Sequence, residues 1–257
     1  MKIAAWNVNS IRARLPNVVG WLKAAQPDVV LLQEIKTAEE SFPAAEIEDL
    51  GYNLAIRGQK TYNGVAILSK APIDVTLRAL PGDDADEEAR YLEAFTGGLT
   101  VASVYVPQGQ EVGGERFAYK LRFLERLAAR VGDLLASEEA WLLGGDFNVA
   151  PNDGDVWNPR AMDGEVCFHP DERARLRRIL HMGVTDAINI FHPEPGRFTY
   201  WDYRGNALAK NEGWRIDHLL LSPQATDRLK DADVDAAPRA LDKASDHAPV
   251  CCELLDP

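Results

Sequence analysis

The strongest constraint on the fold of this chain is a recurring pattern in which a short apolar run stops abruptly at a polar residue unsuited to burial. Val29-Val30-Leu31-Leu32-Gln33 ends at Glu34, Trp141-Leu142-Leu143-Gly144-Gly145 ends at Asp146, and Leu219-Leu220-Leu221 follows Asp217. Runs of this length match buried strands, and none approaches the ~20 residues that a membrane-spanning helix needs. Candidate strands cover residues 2–7, 29–33, 65–69, 90–95, 100–106, 141–144, 215–222 and 248–253. Between some of them the period changes. Phe117, Leu121, Leu124, Ala128, Val131 and Leu135 alternate at spacings of four and three, which predicts a helix over 115–136 with that face in the core. A second helix is expected after Ser10, and a third over 170–180, where Arg173, Arg175, Arg177 and Arg178 read as a solvated face. Strands interleaved with amphipathic helices, with hairpin-like neighbours at both ends of the chain, point to mixed sheets covered by helices.

With 257 residues, 46% of them hydrophobic and 26% charged, the chain can bury a large core and is not of disordered or coiled-coil composition. No internal repeat or low-complexity tract divides it, so one domain over 1–257 is expected. The acidic stretch Asp83-Asp84-Ala85-Asp86-Glu87-Glu88 follows Pro81-Gly82 and reads as an exposed loop. Asn7, Arg12 and Arg14 interrupt the N-terminus before a secretory apolar core can form, and the three cysteines cannot make a disulfide framework. A reducing, cytoplasmic location is the expectation. With 28 basic against 40 acidic residues the net charge is −12, which weighs against a non-specific nucleic-acid binder. A cation-loaded acidic site can nevertheless attract phosphate locally.

The polar residues at the ends of the apolar runs carry the chemistry. Glu34 would stand at a strand end, where α/β ligand sites lie. In Gly144-Gly145-Asp146-Phe147-Asn148, the glycines allow a sharp turn or close approach to a ligand, and Asp146 and Asn148 can face the same way. Asp217 lies inside an apolar strand and needs a strong partner, because an unpaired buried carboxylate is costly. Alternation turns His218 to the opposite face, as a packing or surface residue, which leaves His247 in Ser245-Asp246-His247 as the candidate partner. Together Asn7, Glu34, Asp146, Asn148, Asp217 and Asp246 offer oxygen donors with one nitrogen donor. That inventory suits Mg²⁺ or Mn²⁺ and a phosphate-processing site. The nucleophile elbow, the P-loop and the dinucleotide fingerprint are all absent.

With these residues in view, the sequence resembles the exonuclease III family of abasic-site endonucleases, within the wider endonuclease/exonuclease/phosphatase superfamily. The match runs in order through Trp6-Asn7-Val8-Asn9, Leu32-Gln33-Glu34-Ile35-Lys36, Tyr105-Val106-Pro107-Gln108-Gly109, Gly145-Asp146-Phe147-Asn148, Trp214-Arg215-Ile216-Asp217 and Ser245-Asp246-His247. The Tyr105 block and Phe198-Thr199-Tyr200-Trp201 resemble the DNA-repair branch specifically.

The resemblance implies a four-layer α/β sandwich, two mixed β-sheets packed face to face with helices outside. By similarity Glu34 binds Mg²⁺, with Mn²⁺ able to substitute, and Asn7, Asn9 and Asp246 lie nearby. Asp146 would orient and deprotonate water, Asn148 and Tyr105 would hold the scissile phosphate, and His247, oriented by Asp217, would stabilise its non-bridging oxygen. DNA contacts are expected from Lys36, Lys60, Arg90, Gln108, Lys120 and Lys210. Tyr200, Trp214 and Ile216 would wall a pocket for an extruded abasic sugar. Gln110 and Glu111 follow Gly109 where some relatives place an arginine. The implied activity is hydrolysis of the phosphodiester 5′ to abasic sites in duplex DNA, with 3′-to-5′ exonuclease and 3′-phosphatase or 3′-phosphodiesterase activity. The implied substrate is double-stranded DNA with abasic sites or blocked 3′ ends, handled by a monomer away from membranes. The alternative is a superfamily phosphatase or phosphodiesterase acting on inositol phosphates or phospholipid head groups.

Overall fold

The computed structural model describes residues 1–256. In chain order the strands are β1 (Lys2–Asn7), β2 (Val29–Gln33), β3 (Asn53–Arg57), β4 (Val65–Ser69), β5 (Asp74–Leu77), β6 (Tyr91–Thr96), β7 (Leu99–Tyr105), β8 (Trp141–Asp146), β9 (Thr185–Asp186), β10 (Asp217–Leu221), β11 (Leu229–Val234) and β12 (Val250–Leu254). The first helices are α1 (Ile11–Ala25), α2 (Ala44–Glu48), α3 (Glu115–Ala136), α4 (Pro159–Met162) and α5 (Pro170–Leu180).

The strands form two six-stranded sheets, in the orders β11-β12-β1-β2-β4-β3 and β5-β6-β7-β8-β10-β9. Each sheet is mixed. β1 and β2 are parallel in the first, as are β7 and β8 in the second, and the other pairs are antiparallel. Alternation along β1 shows how the layers stack: Ile3 and Ala5 join Leu31, Ile67, Val101, Leu142 and Leu219 between the sheets. Ala4 and Trp6 turn outward against Val18, Trp21 and Leu22 of α1. On the far side, α3 and α5 lay Phe123, Leu127, Val131, Leu176 and Ile179 on the outer face of β7 and β8. The result is the expected four-layer sandwich. Its central strands read as unbroken apolar runs because both of their faces are buried, each fully buried Leu or Ile contributing about 1.5–3 kcal/mol.

Several sequence expectations are corrected. Asp217 is the first residue of β10 rather than a mid-strand one. Arg215 leaves the ladder to pair with Asp155 at 2.7 Å and Asp186 at 2.5 Å. Gly144 and Gly145, expected to allow a sharp turn or a ligand's approach, face neighbouring strands. A side chain on Gly144 would strike Leu31 and Leu219 between the sheets, and one on Gly145 would strike the Val104 carbonyl, so both glycines serve strand packing.

The buried stripe of α3 is rotated from the one the spacing suggested. It runs through Phe117, Lys120, Phe123, Leu124, Leu127, Ala128, Val131 and Leu134, because Lys120 occupies an inward position that its charge disguised. The acidic loop is also not wholly exposed. Asp86 is held by Arg126 at 2.7 Å and by the Tyr119 hydroxyl, and Glu88 by Arg116 at 2.6 Å and Arg90 at 2.5 Å. Among the described residues, no helix is long and apolar enough to cross a membrane.

Candidate active site

Strand register brings the site residues to one end of both sheets. In the second sheet Tyr105 stands beside Asp146 on parallel β7 and β8, and Asp146 stands opposite Asp217 on antiparallel β8 and β10. In the first sheet Asn7 pairs with Gln33, the residue before Glu34. The chain then turns sharply at each strand end. Asn9, Glu34, Lys36 and Asn148 have φ of 44°, 49°, 50° and 49°, left-handed values that cost non-glycine residues energy and cluster where side chains must be aimed. The turns are latched to one another, with Ser10 N–H donating to the Glu34 carbonyl at 2.7 Å and Lys36 N–H to the Asn63 carbonyl at 3.0 Å.

Asp146 is the centre of the constellation. Its Oδ1 accepts the Asn148 amide N–H at 2.8 Å, and its Oδ2 accepts Asn7 Nδ2 at 2.9 Å and Asn148 Nδ2 at 3.2 Å. The same Asn7 nitrogen donates to Glu34 Oε1 at 2.8 Å, so one amide spans the two carboxylates. His247 Nδ1 donates to Asp217 Oδ2 at 2.8 Å, and its Nε2 faces Asp146 Oδ2 at 3.8 Å. Asp217 Oδ2 also accepts the Thr199 hydroxyl at 2.6 Å. The histidine segment is braced on β1: Trp6 Nε1 donates to the His247 carbonyl at 3.1 Å, and Ser245 Oγ to the Asn7 carbonyl at 2.6 Å.

Burial sets the protonation of these groups. It pushes the Asp146 carboxyl well up; the charge of His247 opposes that rise, while Asp217 and Glu34 add to it. Burial works against the charged imidazole of His247, yet the carboxylates of Asp217 and Asp146 outweigh it and raise the group to about 10. Burial also resists the charge on Glu34, but Lys36 and the Asn7 hydrogen bond overcome it and hold that carboxyl low. Desolvation, with Glu34 and Asp146 nearby, keeps Tyr105 a neutral phenol.

The donor set fits a hard divalent cation. Asp146, Asp217 and His247 each bring one donor atom within 4.8 Å of the others, but His247 and Asp217 are already bound to each other. Asp146 and Glu34 therefore remain as the carboxylates able to face a cation. Lys36 shows that the place accepts positive charge: its ammonium lies 2.6 Å from Glu34 Oε2 and 2.6 Å from Asn9 Oδ1. Asn9 Nδ2 in turn donates to Asp246 Oδ1 at 3.0 Å, which brings Asp246 to the same rim.

A cavity of 370 Å³ opens onto this centre. It is lined by Glu34, Tyr105, Asp146, Asn148, Asp246 and His247 together with Tyr200, Trp214 and Ile216, with Gln108 exposed at the mouth. Tyr200 lies 4.9 Å from the His247 ring, and backbone bridges join it to both Trp214 and His247. The aromatic residues expected beside the dyad are thus brought there.

The basic residues divide. Lys36 reaches the site, and Lys60 and Lys210 are exposed. Arg90 is 5% exposed, its guanidinium 4.6 Å from the centre of the Tyr105 ring. Lys120 is corrected: it is wholly buried against Glu172 at 2.5 Å and cannot touch DNA. His218, read from alternation as a packing or surface residue, is buried, 3.0 Å from Asp186.

Sequence reasoning missed Thr199, which the Phe198-Thr199-Tyr200-Trp201 motif could have flagged. It also missed Asp202 and Arg204 at the cavity mouth and Cys167 in its wall, for which no local signal exists.

A family model for the endonuclease/exonuclease/phosphatase family matches residues 4–247. The chain belongs to that family. Exodeoxyribonuclease III of Haemophilus influenzae is 36% identical over 99% of this chain and all of its own length. The DNA repair nuclease APEX1 of Danio rerio is 32% identical over 97% of this chain and 81% of the relative. Among solved structures, an AP endonuclease from Archaeoglobus fulgidus superposes with a TM-score of 0.95, at 38% identity and 99% coverage of both chains. The 3′ phosphatase NExo from Neisseria, bound to product DNA hairpin, gives 0.96 at 38% identity and full coverage of both chains. This endonuclease/exonuclease/phosphatase member thus sits among hydrolytic nucleases, and none of these four relatives is named as an inositol-phosphate or lipid enzyme.

Proposed function

We propose that residues 1–257 act as one metal-dependent DNA repair nuclease that hydrolyses the phosphodiester 5′ to abasic sites in duplex DNA. The same centre would act on blocked or free 3′ ends as a 3′-phosphatase, 3′-phosphodiesterase and 3′-to-5′ exonuclease. One observation carries the reading: Asp146 meets the His247–Asp217 pair on one side and Glu34, across Asn7, on the other, beneath an aromatic-walled cavity.

A carboxylate pushed up by burial is a stronger base than an exposed one, which suits Asp146 to orient and deprotonate the attacking water. His247, kept protonated by its two carboxylate neighbours, presents Nε2–H to a non-bridging phosphate oxygen where negative charge develops. Asn148 and the neutral Tyr105 hydroxyl hold the scissile phosphate. Glu34, with Asn7, Asn9 and Asp246 beside it, would hold Mg²⁺ or Mn²⁺, and such a cation supplies neutralisation of charge on the phosphoryl and leaving oxygens.

Tyr200, Trp214 and Ile216 form an apolar wall suited to a sugar that has lost its base, since extruding such a nucleotide sacrifices little stacking. A net charge of −12 does not oppose this, because the reaction needs only local phosphate contacts, for which Gln108 and Arg204 stand at the mouth and Lys36 lies against Glu34. The reading extends to a monomer in a reducing, cytoplasmic compartment, which the free thiols of Cys167, Cys251 and Cys252 favour. The test is kinetic: matched duplexes bearing an abasic site, a 3′ phosphate or an intact 3′ end, beside an inositol phosphate, each with Mg²⁺. The abasic duplex is expected to show the highest kcat/KM. Turnover of the inositol phosphate without turnover of any DNA overturns the reading.

A further inference from the structure

Among the described residues, the one charged pair that is wholly enclosed next to the candidate site has no part in the chemistry described above. Lys120 on α3 and Glu172 on α5 are both 0% exposed and lie 2.5 Å apart. A buried ion pair is a weak source of stability, since two desolvated charges gain little over well-packed apolar side chains, and Lys120 occupies a position in an otherwise apolar stripe where methionine would fit. What sets the pair apart is where the rest of the ammonium goes. Its other hydrogens are donated to the Asn148 carbonyl at 2.7 Å and the Gln108 carbonyl at 3.0 Å, with Cys167 Sγ at 3.8 Å. Those two carbonyls belong to different loops, one leaving β8 and one leaving β7, and both loops enter the cavity.

We propose that Lys120 is a positioning residue: anchored by Glu172, its ammonium ties the Gln108 and Asn148 backbones together and holds the Asn148 carboxamide where it meets Asp146. The inference rests on the nuclease reading above for what the held group does. Asn148 needs such a hold, because its backbone is in the left-handed region at φ 49°. On its N-terminal side its N–H is fixed to Asp146 Oδ1, and its Nδ2 bridges the Val106 carbonyl at 3.0 Å and Asp146 Oδ2. Lys120 fixes the C-terminal side. Gly109 keeps the neighbouring turn close to the lysine, since a Cβ there would stand 3.2 Å from Lys120 Cδ. Glu172 is itself set by the first turn of α5, where its Oε2 accepts the His169 N–H at 3.1 Å.

Lys120→Met alone would strand a buried carboxylate and can unfold the protein. The test therefore uses Lys120→Met/Glu172→Gln, which removes both charges at similar volume, beside Glu172→Gln, which leaves Lys120 on its two carbonyls. For the double variant, kcat on an abasic duplex is expected to fall about 10- to 100-fold. KM and its salt dependence should remain those of the wild type, and hydrogen exchange at the Asn148 amide should quicken by about tenfold or more. Glu172→Gln should keep a kcat well above that of the double variant. A double variant with wild-type kcat and wild-type Asn148 exchange overturns the proposal, as does an equal loss of kcat in both variants. A raised KM whose log–log salt slope is shallower by about one also overturns it, because that marks a lost phosphate contact. If the wild type cleaves no abasic DNA, the nuclease reading fails separately, while Asn148 exchange still decides whether Lys120 holds the loop.

Discussion

His247 Nδ1 lies 2.8 Å from Asp217 Oδ2, and among the described residues neither has another ionic partner that could substitute for the other, apart from Asp146 at 3.8 Å from the far nitrogen. An imidazole without its carboxylate loses both its orientation and its preference for the charged form. His247→Asn and Asp217→Asn are therefore each expected to lower kcat by about 100-fold or more, with the double variant little worse than the poorer single. Losses that multiply in a steady-state mutant cycle would show that the two side chains work independently.

Glu34→Gln keeps the size of the side chain and removes the charge shared with Lys36 and the proposed cation. Catalysis with Mg²⁺ should fall by about 100-fold or more, and Mn²⁺ affinity measured by electron paramagnetic resonance should weaken, while the melting temperature changes little. EDTA should abolish wild-type activity and added Mg²⁺ restore it. Full activity of Glu34→Gln in EDTA would remove the metal from the mechanism.

Trp214 and Ile216 differ in how they meet the cavity. Trp214 is partly exposed at its wall, whereas Ile216 is 4% exposed and packs with Ala150, Val156 and Phe168. Trp214→Ala should reduce the preference for abasic over intact duplex about tenfold, and Ile216→Ala should do so more mildly. Metal affinity should persist in both variants. An unchanged cleavage ratio in a folded Trp214→Ala protein assigns Trp214 to packing alone.

Glu88 links the acidic loop to α3 and to the floor under Tyr105. Burial resists its charge, but the hydrogen bonds and charges of Arg116 and Arg90 hold its carboxyl down at about 2, below its ordinary 4.5. A depressed folded value means that the contribution to stability is complete above pH ~5 and is lost as pH falls toward 2. In urea titrations, the stability gap between wild type and Glu88→Gln should be constant from pH 7 to about 5 and close below that. A gap that stays open at pH ~2 would mean that the ion pairs are not its source.

Much of this architecture is legible in the chain because local physics writes it there. β2, β4 and β8 are buried on both faces, so their apolar runs announce both the strand and, by stopping, the sheet end where Glu34 and Asp146 stand. The edge strands were not legible. β5 and β11 each expose half of their residues, and β11 carries Lys230, Asp231 and Asp233, which guard an open edge and erase the hydrophobic period. Likewise the charge of Lys120 turned the apparent face of α3, since nothing within one helix reveals that a carboxylate waits on another.

By itself, then, the sequence determined the strand-end acids, the helix-covered sheets and, through its motifs, the family and the His247–Asp217 pairing. Only the tertiary structure decided which side chains share an oxygen. That depends on register between strands far apart in sequence, which sets Asp146 opposite Asp217, and on turns that aim Asn7 between Glu34 and Asp146. It also decided which cations reach the site. Lys36 and Lys120 are the same residue type, yet one stands at the site and the other is sealed under it, because burial is a property of what packs around a side chain and not of the side chain itself.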